Sequence, residues 1–199
     1  MRSAIVAVIL AAVALLVAAA PPAIAQHQHH AAPAAPPRSD SIYELSASLV
    51  DQDGQAASLD VFRGHPVLIS MFYATCPDAC PLLIADLKRI ERELSPHTRA
   101  DLRIVLVTLD PEHDTPEALR ALARAHGLDT SRWRLLRAPD DTVREIAAVL
   151  GIRYRQLPEG GFNHSSVITL LDASGVALAR VEGVGQPLDA LRERLRAGP

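Results

Sequence analysis

HPVLISMFYATCPDACPLL, residues 65–83, sets an apolar run against a pair of cysteines. From His65 to Ala74 the run shows no polar alternation. That pattern fits a strand buried on both faces, at the centre of a sheet with helices above and below. Pro77 pushes Cys76 away from helical backbone. Asp78 then stands where a helix N-cap belongs, and Ala79, Cys80 and Pro81 fill a first turn that tolerates proline. Leu83, Leu87, Ile90 and Leu94 follow at helical spacing until Ser95-Pro96. Cys76 therefore closes a strand loop, and Cys80 opens a helix.

Outward from this unit, strands and helices alternate. Before it, the segment around Asp53-Gly54 reads as a hairpin. After it, LRIVLVTL (102–109) is a second buried strand. DPEHDTPE (110–117) turns into a helix, with Asp114 and Glu117 in a D-x-x-E capping arrangement and Pro116 in the first turn. That helix ends at Gly127. A short strand at 133–136 and a helix at 141–150, stopped by Gly151, come next. Tyr154 lies in another short strand, PEGGF turns, and residues 165–183 form a hairpin about Ala173–Gly175. The last helix spans 187–196. The order predicts an α/β fold of the thioredoxin type: a central mixed sheet flanked by helices, with an N-terminal hairpin.

The chain has 199 residues, enough for one domain with a full core. Residues 1–25 read as a secretory signal: Arg2, an apolar stretch from Ala4 to Ala20, and small residues at Ala23 and Ala25 before Gln26. Cleavage after Ala25 sends the rest to an exported, periplasmic location; an uncleaved membrane anchor is the alternative. Residues 26–40 are an Ala/Pro-rich linker carrying His27, His29 and His30, a tract that could scavenge metal or be a plain soluble tail. The folded domain is assigned to 41–199. Of 20 basic residues, Arg2 leaves with the signal and no acid does, so 19 face 23 acidic residues, a balance of −4. With no basic stripe, nucleic acid is excluded as a partner.

Export frames the cysteines. A disulfide between Cys76 and Cys80 would close three intervening residues and constrain almost nothing, so it is no staple. Two thiols at a helix N-terminus, where thiolate is favoured, can instead bind a soft cation such as Cu(I) or exchange with disulfides. A third ligand is expected if the site also holds Cu(II). Of eight histidines, three lie in the tail, His65 and His97 sit at the wrong ends of their elements, and His126 lies near a helix C-terminus, where a cation is simply stabilised. His164 precedes a strong strand, in the loop where thioredoxins carry a cis-proline close to the cysteines. His113, in the DPEHDTPE loop at the ligand-gathering edge of the sheet, is a reserve ligand beside Asp110.

FYATCPDACP (72–81), VTLDPEHDTPE (107–117) and NHSSVITLLDASG (163–175) together resemble the Sco/SenC family of copper-binding assembly factors, across roughly residues 41–197. The resemblance implies a thioredoxin-like fold and one copper, as Cu(I) or Cu(II), held by Cys76, Cys80 and His164. It implies a metallochaperone delivering copper to cytochrome c oxidase, or reducing thiols at that oxidase's binuclear copper site. The partner would be the oxidase's copper-site subunit or another copper chaperone. Asn163 departs from the pattern, since many members have Asp there. The other reading is a thiol–disulfide oxidoreductase with Cys76 and Cys80 as the redox-active pair and no obligatory metal. A peroxiredoxin-type site is disfavoured, because Tyr73 stands where those enzymes carry Thr.

Overall fold

Unbroken Val, Ile and Leu runs need cover on both faces, and the chain supplies it by sending helices to each side of one sheet. The computed structural model describes residues 40–198. These fall in one compact unit, Ala35–Pro199. The other unit, Met1–Ala34, lies outside the described residues, as do the signal segment and the histidine tract.

In chain order the strands are β1 (Leu49–Asp51), β2 (Ala56–Ala57), β3 (Val67–Phe72), β4 (Arg103–Thr108), β5 (Trp133–Arg137), β6 (Tyr154–Gln156), β7 (Phe162–His164), β8 (Val167–Leu171) and β9 (Ala177–Glu182). The α-helices are α1 (Ala79–Glu93), α2 (Pro96–Asp101), α3 (Pro116–Ala125), α4 (Asp140–Val149) and α5 (Asp189–Ala197). The main sheet has seven strands in the order β2-β1-β5-β4-β3-β8-β9. β3, β4 and β5 are parallel, and β8 closes antiparallel on β3. β6 and β7 make a separate two-stranded ribbon with Tyr154 opposite His164.

Alternation along the strands splits the core in two. Leu68, Phe72, Ile104 and Leu106 face α1, α3 and α5, whereas Val67, Ile69, Met71, Val105 and Val107 face α4 and the N-terminal segment. The apolar stripe of α1 (Leu83, Ile84, Leu87, Ile90) is buried, which fixes the helix that carries Cys80. Leu87 is 0% exposed. Leu87→Ala is expected to lower stability by about 2–5 kcal/mol, read as a smaller denaturation midpoint at unchanged slope.

The sheet edge and the cysteine helix follow the sequence reading, with three corrections. Ser95-Pro96 does end α1, but it also starts α2: Ser95 caps it by accepting from the Thr98 N–H at 3.1 Å. The cap of α3 is Thr115, which accepts from the Ala118 N–H, and not Asp114. Asp78 holds the N-cap position of α1 in helical backbone, yet its side chain makes no capping bond. Among the described residues no peptide bond is cis, and no helix is long and apolar enough to cross a membrane.

Candidate metal centre

β3 delivers the chain to the C-terminal edge of the sheet, where a tight turn begins. The Cys76 N–H donates to the Tyr73 carbonyl at 3.2 Å, and the Cys76 sulfur accepts from the Cys80 N–H at 3.3 Å. The first sulfur thus sits on the open N-terminus of α1, where unpaired amides and the helix dipole favour negative charge. Cys76 is half-buried and Cys80 is buried, and both are free thiols.

The two thiols differ electrically. Burial would raise the Cys76 thiol, but hydrogen bonding from Cys80, the Asp78 amide and Tyr73 outweighs it and holds the group below the usual thiol range. Burial pushes the Cys80 thiol far up, and the nearby Cys76 and Asp114 charges add to the rise. At neutral pH Cys76 is therefore the reactive sulfur. Iodoacetamide is expected to label Cys76 alone in the folded, reduced chain, with a rate that climbs with pH through a midpoint below the ordinary thiol value. Peptide mapping checks this; equal labelling of Cys80 would contradict it.

His164 comes from the other side, at the end of β7. Its Nδ1 lies 3.3 Å from the Ser165 carbonyl oxygen. A carbonyl can only accept, so Nδ1 carries the proton and Nε2 keeps a free lone pair. Burial holds the imidazole below its ordinary range, so it is neutral at neutral pH. The Tyr73 ring stands edge-on to both Phe162, at 5.5 Å between centroids, and His164, at 5.9 Å. Gly161 lets it in: a side chain there would come within 3.2 Å of the Tyr73 hydroxyl, and φ is +75°. Tyr73 is the wedge between cysteine loop and histidine ribbon. The sequence reading used it only to exclude a peroxidase.

Cys76, Cys80 and His164 converge, with one donor atom from each all within 4.8 Å of one another. Bonds of ~2.2 Å to one ion place three donors ~3.8 Å apart in a plane, so a contraction of about 1 Å closes the set. Among the described residues this is the one group of three or more metal-ligating side chains so arranged. Two soft sulfurs and one imidazole suit copper better than calcium or magnesium. The reserve ligand does not join: the His113 Nδ1–H donates to the Asp110 carboxylate at 2.8 Å, and the side chain is 64% exposed. That contact raises the His113 pKa. Asn163 is exposed.

The sequence profile of the SCO1/SenC family matches residues 37–196. A protein of Stutzerimonas stutzeri named as copper-binding is 36% identical over 84 residues, covering 42% of this chain and 40% of that protein. An SCO2-like protein of Rickettsia conorii is 28% identical over 134 residues, covering 64% of this chain and 63% of its own length. The chain thus spans less than two thirds of either relative. Among solved structures, Bradyrhizobium japonicum ScoI with copper bound aligns with a TM-score of 0.65 at 19% identity, over 77% of this chain and 97% of that one. That likeness is one of fold.

Proposed function

The chain belongs to the SCO1/SenC family, and from that premise we propose that it is an exported copper carrier. It holds one copper ion between the Cys76 and Cys80 sulfurs and the His164 imidazole, and passes it to thiolates of a partner. The observation that carries this reading is the convergence of three donors within 4.8 Å. A neutral imidazole with a free nitrogen and a thiol held below its usual range lessen the competition from protons at two of the three donors, while Cys80 must give up its proton on binding.

Delivery needs an exchangeable ligand. Cys76, half-buried at the edge, is the one a partner thiolate can displace first, while buried Cys80 holds the cargo. The partner of this reading is the copper-site subunit of cytochrome c oxidase or another copper chaperone. The unequal thiols also favour a second use of the site. Cys76 thiolate attacks one sulfur of a partner disulfide and releases the other as thiolate. Cys80, on losing its proton, then attacks the Cys76 sulfur, leaving this chain oxidised by two electrons and the partner fully reduced.

Anaerobic reconstitution of the reduced chain followed by metal analysis tests the carrier role. One copper per chain, transferable to the isolated copper-site domain of the oxidase, is expected. Substoichiometric copper, together with fast metal-free reduction of that domain's disulfide, would instead leave thiol chemistry as the function.

A further inference from the structure

Asp114 was the helix cap that the sequence offered and that Thr115 took. Its carboxylate is instead 1% exposed. Oδ2 accepts from the Ala74 N–H at 2.9 Å and from the Thr108 hydroxyl. Burying a carboxylate for ordinary loop structure is expensive, so the bonds it makes need an account.

Ala74 lies just past the end of β3. The β3–β4 ladder stops at Phe72 opposite Thr108, and the next backbone bond runs from the Leu109 N–H to the Phe72 carbonyl at 2.7 Å. The Ala74 N–H therefore has no sheet partner, and Asp114 stands in for one. The same peptide unit, Tyr73–Ala74, offers its carbonyl to the Cys76 N–H at 3.2 Å. A peptide is planar, so fixing its N–H direction fixes its C=O direction. Through that carbonyl it fixes the turn that seats the Cys76 sulfur on the Cys80 N–H at 3.3 Å.

We propose that Asp114 is a positioning residue for the dithiol: by holding the Tyr73–Ala74 peptide it sets where Cys76 lies relative to Cys80. The inference takes the two thiols as the functional pair but concerns their metal-free state, so it stands or falls apart from the copper reading.

Three measurements on the metal-free chain test it. In the wild type the Ala74 amide is protected from hydrogen exchange; an Ala74 amide exchanging at the rate of an open loop overturns the proposal without any variant. In Asp114→Ala the Ala74 amide exchanges about 10–100-fold faster, the range expected for a bond to a charged acceptor. The Cys76–Cys80 equilibrium with glutathione moves about tenfold toward the disulfide, because the turn that stabilised the reduced pair is released. Asp114→Asn keeps an oxygen that can accept both bonds, so it stays within about twofold of wild type. Thr108→Val, which leaves the Ala74 bond in place, also stays within about twofold. An unmoved equilibrium in Asp114→Ala, or an equal shift in Asp114→Asn or Thr108→Val, refutes positioning in favour of charge or general destabilisation.

Discussion

Cys76→Ser and Cys80→Ser are each expected to abolish tight Cu(I) binding, and by unequal amounts. A serine hydroxyl is hard and stays protonated, so it replaces a soft anionic donor with almost none. Structural Zn²⁺ sites of thiolates and imidazoles in small peptides are worth about 10–16 kcal/mol in all, which sets the scale. On that scale one donor is worth on the order of 4 kcal/mol, about a thousandfold in affinity, and for Cu(I) the two thiolates are the donors that count. The thiols' electrostatics rank the variants. Cys80→Ser leaves Cys76, whose thiolate the α1 amides favour, and that variant keeps weak binding at neutral pH. Cys76→Ser leaves only a buried sulfur that resists ionisation, and its residual binding is lower still. Competition with a chromophoric Cu(I) chelator measures both. Retention of affinity within tenfold of wild type in either variant would remove that sulfur from the site.

This ranking draws on details that sequence pattern reaches only in part. The apolar run at 67–72 identifies β3 because its burial on both faces leaves no alternation to misread. Pro77 and the α1 stripe place the cysteines at a helix start for equally local reasons. His164 was legible by position, since a thioredoxin-type order brings the segment before β8 next to the cysteine helix. The donor it offers was not, because that follows from one bond to the Ser165 carbonyl.

The misreadings share a cause. In DPEHDTPE both Asp114 and Thr115 can cap a helix, and local rules do not choose between them. The choice is tertiary: an Ala74 N–H forty residues away lacks an acceptor, and Asp114 supplies it. Ser95-Pro96 likewise reads as a stop, although the same two residues open α2. The ribbon of β6 and β7 is too short and too exposed to show a period, so only its Tyr154 half was foreseen. In the sequence Tyr73 reads only as one more residue of the apolar run and as the residue that stands in place of a peroxiredoxin Thr. Its role emerges only when Phe162 and His164 arrive against its ring.

His164→Ala is expected to separate the two oxidation states of copper. Cu(I) is content with two thiolates, so the variant should keep Cu(I) binding within about tenfold of wild type. Cu(II) needs the imidazole, and the loss of that donor lowers its affinity about a thousandfold by the same division of binding energy. The thiolate-to-copper absorption band and the electron paramagnetic resonance signal of the Cu(II) form should disappear or change shape. Acid provides a second signature. Burial keeps the folded His164 pKa below its ordinary value, so the imidazole stays neutral, and able to bind, to lower pH than a free histidine. Thiol deprotonation makes Cu(II) affinity pH-dependent in both proteins, but only the wild type should show the added loss from imidazole protonation, setting in at a pH below the ordinary histidine range. An unaltered Cu(II) spectrum in His164→Ala would show that the third donor lies elsewhere. His113 would not be the obvious replacement, because its ring is engaged by Asp110 and tends to protonate, which opposes metal binding.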